Sequence, residues 1–268
     1  MTVILLGRLM TVKTVIECRK LGKCYETIDG DPVVALEEID LKISEGEFIC
    51  VVGPSGCGKS TLLKIFAGLL SYTSGSAELL GQPITGARRD IGVVFQNAVL
   101  LQWRNILNNV LLPADAQGLP RKNYIDRARE LLAMVGLAGF ENKYPFELSG
   151  GMQQRVSITR ALVHDPALLL MDEPFGALDA MTREQMNLDL QRIWMQSGKT
   201  VFLITHSIPE AVFLGDRVVV MTARPGRMAG VLDIPFERPR SLDVMATPEF
   251  GKIVTDIRKM LNVEQGID

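Results

Sequence analysis

The sequence predicts an α/β fold with a parallel sheet and helices on both of its faces. Short apolar segments of strand length alternate with segments whose apolar residues recur at helical spacing, and a glycine-rich loop joins one such strand to one such helix. Strands that alternate with helices form parallel sheets, because each connecting helix covers a face of the sheet. With 268 residues and a hydrophobic content of 47%, the chain can form a substantial core.

Residues 12 to about 96 are expected to contain short strands and one helix. The strand segments have β-branched or alternating apolar character, and turn residues at 29–32 and 44–46 separate the first of them. The predicted strands are 33–36, 39–43, 48–52, 76–80 and 91–95, and the predicted helix is 61–70.

The remainder of the chain divides into a helical stretch, a second strand–helix stretch and a tail. Residues from about 98 to 165 are predicted to be mostly helical, with the clearest apolar periodicity over 124–135 and a stop at Gly136. Residues 166 to 238 return to alternation, and the tail is expected to add one helix. The predicted strands are 167–171, 201–205 and 218–221, and the predicted helices run from Thr182 to Gly198 and over 248–261.

Charge, cysteine content and hydropathy argue against a nucleic-acid-binding protein, a disulfide-stabilised protein and a membrane-spanning chain. The 29 Lys and Arg against 31 Asp and Glu give a net charge of −2, which argues against a general nucleic-acid-binding protein. The four cysteines form no C-x-x-C pair, and a chain of this size does not need disulfides, so we expect a reducing cytosol. No apolar run approaches the ~18 residues that span a bilayer, so membrane association is expected to come through a partner.

The segment 53–60 matches the phosphate-binding pattern G-x-x-x-x-G-K-[ST], between a predicted buried strand and an apolar helix. The glycines let successive backbone amides point at a phosphate, Lys59 supplies a charge to the outer phosphates, and the Ser60 hydroxyl is offered to Mg²⁺. ATP and Mg²⁺ are therefore the expected ligands. Cys57 lies near Lys59 and a helix start, which favours a reactive thiolate. The candidate ATP-binding residues are Gly53, Pro54, Ser55, Gly56, Cys57, Gly58, Lys59, Ser60 and Thr61.

Two acids end the predicted strand 167–171. Unpaired buried carboxylates are costly, so the Asp172 carboxylate is expected to face a magnesium ion. Glu173 is then free to orient or deprotonate the water that attacks the terminal phosphate.

The segment Leu148-Ser149-Gly150-Gly151-Met152-Gln153-Gln154-Arg155 resembles the signature sequence of ABC ATPases. By itself, it predicts a helix capped by Ser149 with glycines that let an anion approach the backbone. The chain is similar to ABC ATP-binding subunits over about residues 14 to 235. Further family elements occur in order: an aromatic residue expected to stack on adenine, a glutamine loop, an aspartate loop and a switch histidine. These are Tyr25, Gln96, Asp179 and His206.

The resemblance implies a P-loop NTPase (ABC ATPase) core with a mixed sheet, an antiparallel β subdomain and an inserted α-helical subdomain. It places the ATP-binding domain at 12–238, with the α/β core at 12–97 and 166–238, the helical subdomain at 98–165 and a helical tail at 239–268. It also implies a homodimer in which each signature segment contacts the ATP of the other subunit. The implied catalytic residues are Glu173, His206 and Gln96, the metal ligands are Ser60, Gln96 and Asp172, and the residues that act on the partner's ATP are Ser149, Gly150, Gly151, Gln153 and Asp179.

The segments 205–212 and 222–227 are similar to the nitrate, sulfonate and taurine importer group, although Gln102 stands where that group usually has proline. Integral-membrane permease subunits and, indirectly, a periplasmic or extracellular solute-binding protein are the implied partners, at the cytoplasmic face of the membrane. The alternatives are an exporter ATPase, a soluble ABC ATPase that acts on DNA or ribosomes, and a small-molecule P-loop kinase. A kinase would not need the segment 148–155. Leu100, Leu101 and Trp103 are either core residues or a surface for a short permease helix.

Overall fold

The computed structural model describes residues 13–26 and 30–263 of the chain. The strands are β1 (Thr14–Tyr25), β2 (Val33–Ser44), β3 (Phe48–Val52), β4 (Ser74–Leu79), β5 (Gln82–Pro83), β6 (Ile91–Val94), β7 (Leu168–Asp172), β8 (Thr200–Ile204), β9 (Arg217–Met221) and β10 (Met228–Asp233). The α-helices are α1 (Lys59–Phe66), α2 (Ile106–Val110), α3 (Leu112–Ala116), α4 (Ile125–Met134), α5 (Gly150–Leu162), α6 (Ala180–Ser197), α7 (Ile208–Leu214) and α8 (Pro248–Val263). Short 3₁₀ turns lie at Arg121–Asn123, Pro145–Glu147 and Leu242–Ala246.

A six-stranded mixed sheet has the order β10-β9-β3-β8-β7-β6. Its neighbours from β9 to β6 are parallel, and β10 is antiparallel to β9. Strand β3 lies at the centre of the parallel part and is buried along its whole length. Burial on both faces explains why the parallel strands are almost continuous apolar runs in the sequence.

The side chains of β3 alternate between two hydrophobic clusters, because successive residues of a strand point to opposite faces of the sheet. Phe48, Cys50 and Val52 belong to a cluster that includes apolar residues of α4, α5, α6, α7 and α8. Ile49 and Val51 belong to a second cluster, which includes residues of α1 and of the strands β1, β2 and β4. The central sheet is therefore covered on both faces.

A four-stranded antiparallel sheet has the order β2-β1-β4-β5. The pairing of β1 with β2 shifts register between Cys18 and Leu21, where Lys20 has a φ of 45°. The buried faces of β1 and β2 join the same hydrophobic cluster as α1. This sheet thus packs beside the helix that follows the glycine-rich loop.

The C-terminal helix α8 packs against α7, and the connection before it is fixed by a buried arginine. Arg240, 4% exposed, donates hydrogen bonds through Nη1 to the carbonyls of Val212, Phe213 and Gly215 at distances of 3.1, 2.7 and 2.8 Å. These carbonyls lie at the end of α7, where the helix leaves them without backbone partners. Burial lowers the pKa of Arg240 to about 10.

The architecture confirms the predicted α/β class, with its mixed sheet and its antiparallel sheet. The strands β1 and β5 and the helix α7 were not among the predicted elements, and three further details differ from the sequence prediction. The segments 33–36 and 39–43 form one strand, because Glu38 introduces a bulge with a φ of 49° rather than a turn. Helix α1 ends at Phe66, since Gly68 follows with a φ of 68°. Strand β10, half exposed at the sheet edge, was not predicted. No helix in the described ranges is long and apolar enough to span a membrane.

Candidate functional site

A cavity of about 420 Å³ opens at the carboxyl edge of the parallel sheet. In parallel α/β sheets the loops that leave the carboxyl ends of the strands meet at one edge, where ligands bind. The loops after β3, β7, β8 and β9 all contribute to this cavity. Its lining residues are Tyr25, Ala35, Gly53, Ser55, Gly56, Gly58, Lys59, Ser60, Thr61, Glu173, His206 and Arg224.

The glycine-rich loop has the conformation that its pattern requires. Gly56 and Gly58 have φ values of 76° and 97°, in the left-handed region that disfavours side chains. A Cβ atom on Gly58 would also lie 2.6 Å from Leu36 Cδ2 and 2.8 Å from the Ala35 carbonyl. The loop is therefore both curled and packed against β2, as a cradle of backbone amides needs to be.

The ammonium group of Lys59 lies inside this loop. It donates hydrogen bonds to the carbonyl oxygens of Gly53 at 2.8 Å and Pro54 at 3.0 Å, and the residue is 7% exposed. The loop thus carries a fixed positive charge at its centre, where negative phosphate oxygens would be attracted.

Cys57 does not have the accessible thiol expected from the sequence. Its side chain is 1% exposed and belongs to the hydrophobic cluster around α1. The Lys59 Nζ atom lies 3.8 Å from Cys57 Sγ, but burial keeps the sulfur away from reagents in solution. The motif correctly predicts that Cys57 lies near Lys59 in the chain. It does not predict that the Cys57 side chain points into the hydrophobic cluster around α1.

Ser60 and Asp172 come together from the start of α1 and the end of β7. Ser60 Oγ donates a hydrogen bond to Asp172 Oδ1 at 3.1 Å. Burial raises the pKa of Asp172, partly offset by the bond from Ser60. A hydroxyl beside a partly buried carboxylate is a suitable pair of ligands for Mg²⁺. This ion binds few protein side chains and completes its coordination shell with water and phosphate oxygens. The described residues hold no cluster of three or more His, Cys, Asp or Glu side chains that could bind a metal ion.

Glu173 and His206 lie next to each other in the lining of the cavity. His206 Nδ1 lies 3.2 Å from Glu173 Oε2, within hydrogen-bond distance. Glu173 has a φ of 46°, an uncommon conformation for a residue with a side chain, and its amide donates to the Ile204 carbonyl at 2.9 Å. The strand end is therefore bent in a way that turns this carboxylate toward the phosphate loop.

The residues that flank His206 are connected to Glu210, a buried acid that was not predicted to belong to the site. Thr205 Oγ1 donates to Glu210 Oε2 and accepts a hydrogen bond from the Ser207 amide at 3.0 Å, so the two residues that flank His206 are tied together. Glu210 is 5% exposed, and burial raises its pKa. The signal in the sequence was an acid on the apolar face of the short helix α7.

Tyr25 is the last residue of β1 and lines the cavity. It is 36% exposed, and its hydroxyl is 3.3 Å from Thr61 Oγ1. Lys23 Nζ lies 5.2 Å from the centroid of the ring. The tyrosine is thus a partly exposed aromatic surface in the cavity lining, close to the first turn of α1.

Gln96 is exposed after β6, beside the cavity rather than among its lining residues. A Cβ atom added to Gly176, in the loop after Glu173, would lie 3.0 Å from Gln96 Nε2, so the Gln96 side chain packs against this loop. Buried side chains of α5 hold the backbone on both sides of it. Gln154 Nε2 donates to the Phe95 carbonyl at 3.0 Å, and Arg160 donates to the carbonyls of 98 and 99 at 2.7 and 2.8 Å.

The signature segment begins α5 away from this cavity. Ser149 Oγ accepts a hydrogen bond from the Met152 amide at 3.4 Å, and Gln153 Nε2 donates to the carbonyls of Pro145 and Leu148 at 3.0 and 3.1 Å. Asp179 caps α6 in the same way through Thr182. A Cβ on Gly150 would meet Leu178 at 3.7 Å, and one on Gly151 would meet Thr182 at 3.1 Å. The residues expected to act on a partner's ATP are therefore neighbours of one another: Ser149, Gly150, Gly151, Gln153 and Asp179.

The three apolar residues that follow Gln96 have different environments. Leu100 is 8% exposed and part of the core, Leu101 is half-buried, and Trp103 is 75% exposed. Phe95 and Val99 are also exposed, at 42% and 60%. The segment therefore has one core residue and three exposed apolar side chains within nine positions, Phe95, Val99 and Trp103, which we call the exposed ridge.

Comparison with known proteins identifies the family. The sequence pattern of the family described as ABC transporter matches residues 36–176. An uncharacterized ABC transporter ATP-binding protein of Methanocaldococcus jannaschii is 48% identical over 248 residues, which cover 92% of this chain and 92% of that protein. The taurine import ATP-binding protein TauB of Escherichia coli K12 is 44% identical over 236 residues, which cover 86% of this chain and 92% of TauB.

Solved structures give the same answer for the fold. A dimeric ATP-binding cassette bound to ADP and Pi in a post-hydrolysis state superposes with a TM-score of 0.70 at 34% identity, over 83% of this chain and 100% of that one. The protein cbiO1 of Clostridium perfringens, part of the ABC transporter complex cbiONQ, gives a TM-score of 0.75 at 28% identity, over 91% of this chain and 95% of that one.

Proposed function

The chain belongs to the ABC transporter family as an ATP-hydrolysing subunit, and on that basis we propose that it powers the import of nitrate, a sulfonate, taurine or a similar small solute. The proposal places it as a homodimer on permease subunits at the cytoplasmic face of the cell membrane, with a solute-binding protein as an indirect partner. TauB relatives at 42–46% identity support the choice of solute.

The observation that carries the hydrolytic assignment is the pair Glu173 and His206, 3.2 Å apart, in the same cavity as Lys59 and Ser60. A carboxylate that turns from a strand end toward a phosphate loop is placed to accept a proton from water. The neighbouring histidine can donate its N–H either to that carboxylate, which orients it, or to a phosphate oxygen. Removing either group should slow hydrolysis without preventing nucleotide binding.

The other residues of the site bind and orient the substrate. The amides of the loop 53–60 and the Lys59 ammonium hold the phosphates, and the Tyr25 ring supports the adenine. Ser60, Asp172 and Gln96 are the residues that would hold Mg²⁺, which neutralises phosphate charge when bound. In the dimer, the signature residues of one subunit would complete the site of the other, because the residues at the start of α5 are not among those that line their own cavity.

The substitution Glu173→Gln tests this assignment. It keeps a group that can bond to His206 but removes the base, so ATP binding should persist while turnover falls by about 10²-fold or more. Trapped ATP should then hold two subunits together, and size-exclusion chromatography with ATP and Mg²⁺ should show a dimer. Glu130→Gln, an exposed acid on α4, is the matched control and should keep wild-type turnover. Wild-type turnover in Glu173→Gln would contradict the assigned role.

The permease partner is supported by the exposed apolar ridge of Phe95, Val99 and Trp103. Exposed aromatic side chains in soluble domains often mark interaction surfaces, and tryptophan is a frequent binding hot spot. This ridge directly adjoins Gln96, so a partner bound there would be next to the glutamine loop. A short apolar helix of a permease fits such a surface.

Purification from membranes tests the partner. Tagged wild-type chain should copurify with a polytopic membrane protein from detergent extracts, and Trp103→Glu should lose it while basal ATPase activity of the isolated subunit persists. Met195→Glu, at an exposed apolar residue on α6, is the control and should keep the partner. In the purified complex, ATPase stimulation by a binding protein loaded with taurine, a sulfonate or nitrate would support import. Stimulation by lipid or drug instead would favour an exporter.

A further inference from the structure

We propose that Arg224 is a second phosphate-binding cation of the nucleotide site, acting on the ATP phosphates together with Lys59. It lies in the segment 222–227, which resembles the importer group, but no nucleotide-binding motif of the sequence includes it. It lines the same cavity as Lys59, Ser60 and Tyr25. The inference rests on the proposed ATP site and adds to it a residue from the loop between β9 and β10.

The loop that carries Arg224 is held in place by hydrogen bonds within itself and to β2. Thr222 Oγ1 accepts from the Arg227 amide at 2.9 Å and donates to the Pro225 carbonyl at 3.0 Å. The Gly226 amide donates to the Ala35 carbonyl at 3.0 Å. The Glu37 amide in turn donates to the Gly226 carbonyl, also at 3.0 Å. The loop is therefore anchored on both sides of Arg224.

The same loop packs directly against the phosphate loop. A Cβ on Gly226 would lie 2.0 Å from the Cys57 carbonyl, so only glycine fits there. At the other end, a Cβ on Gly53 would lie 2.9 Å from the Met221 carbonyl. These two close approaches bring the segment 221–226 against both limbs of the curled loop 53–58, which places the Arg224 backbone beside the phosphate cradle.

Arg224 and Arg227, the two arginines of this loop, differ in whether a carboxylate lies beside them. Arg227 forms an ion pair with Glu37 at 2.8 Å, on the outside of the loop. Arg224 is exposed, and no carboxylate in the described ranges lies within ion-pair distance of it. A guanidinium that lines an anion-binding cavity without an acidic partner is free to bind a phosphate through two parallel N–H bonds.

The charges of the cavity lining support a phosphate rather than a base contact. Lys59 and Arg224 are its permanent cations, and Glu173 is the carboxylate. The triphosphate brings several negative charges close to Glu173, and a second cation offsets that repulsion. Adenine already has an aromatic surface in Tyr25. The guanidinium thus adds affinity and charge balance at the phosphate end.

The test compares a ligand that has only phosphates with ATP. Binding of ATP and of inorganic tripolyphosphate is measured calorimetrically, with EDTA present so that no hydrolysis occurs. Arg224→Ala should weaken both ligands by about 3- to 10-fold, and Arg224→Lys should restore most of the affinity. Tyr25→Ala should weaken ATP alone. Arg227→Ala, which removes the same charge from the outside of the same loop, should change neither ligand by more than about 2-fold.

Three results would overturn the inference. These are unchanged ATP affinity in Arg224→Ala, a loss confined to ATP with tripolyphosphate unaffected, and an equal loss in Arg227→Ala. The melting temperature without ligand checks that the variants remain folded. Failure of the wild-type chain to bind ATP would refute the proposed function instead, so the two failures are distinguishable.

Discussion

Asn109 offers a sharp test of how the segment after Gln96 is held. Its side chain is fully buried in α2. Oδ1 accepts from the Leu101 amide at 2.7 Å, and Nδ2 donates to the carbonyls of Leu101, Arg104 and Asn105 at 3.1, 2.9 and 3.1 Å. One buried amide therefore satisfies four backbone groups of the segment that leads to the exposed ridge.

The magnitude follows from those bonds. Asn109→Ala removes one acceptor and two N–H donors, each with a net value of about 1 kcal/mol, and leaves buried backbone groups without partners. We expect unfolding free energy to fall by about 2–4 kcal/mol. Asn109→Asp keeps the acceptor but turns a carboxyl oxygen toward three carbonyls, so only its protonated form fits.

The Asn109→Asp replacement adds a pH signature. The buried carboxyl group that it introduces would have a folded-state pKa above its unfolded value. The folded state of this variant binds more protons, so its stability should be greatest below the unfolded pKa of about 4 and should fall as pH rises through the folded pKa. Asn109→Ala should show no such added slope.

Urea unfolding followed by circular dichroism measures these changes, and hydrogen exchange at the Leu101 amide locates them. Asn108→Ala is the matched control. Asn108 is half-buried and accepts from Arg121, so its loss should cost less than about 1 kcal/mol. A loss in Asn109→Ala no larger than in the control, or slow exchange retained at Leu101, would refute the reasoning.

Three further outcomes are expected from single substitutions. Tyr25→Ala should weaken ATP binding by about 0.5–1.5 kcal/mol in calorimetry while Tyr25→Phe keeps it, and equal losses would argue against stacking. Maleimide should modify the half-buried Cys24 before Cys57, which is 1% exposed, and peptide mass spectrometry would show the reverse order if Cys57 were accessible. Arg160→Met should cost about 2–4 kcal/mol in urea unfolding because two backbone carbonyls lose a charged donor, whereas Arg129→Met on the exposed face of α4 should be nearly neutral.

The sequence was most informative where one residue type satisfies a local requirement. The pattern 53–60 predicted its own curled backbone, because only glycine adopts the φ values of Gly56 and Gly58 at no cost. The strand over 48–52 was predicted with its observed bounds, since its burial on both faces makes it a continuous apolar run. Gly198 ends α6 in the left-handed conformation, as a helix stop should.

Contacts between distant segments could not be predicted in this way. The hydrogen bonds of Glu210 and Asn109 were not predicted, because their partners are set by how the chain packs and not by a recognised motif. Arg224 lies about 165 residues from the phosphate loop, and only the pairing of β9 with β3 brings the two loops together. The burial of Cys57 likewise depends on packing against α1.

The hydrogen bonds around Gln96 indicate which part of the molecule it moves with. Gln154 and Arg160 on α5 hold the backbone on both sides of it, and Asn109 on α2 holds the residues that follow. All three side chains are buried, so separating these segments would strip donors from carbonyls in a low-dielectric interior. The least costly displacement is therefore of the segment 95–105 together with α2 and α5. A shift of the start of α5, where Ser149 caps the helix, would therefore move the exposed ridge as well. Under the proposal that a permease binds this ridge, the position of the signature segment would be coupled to the permease.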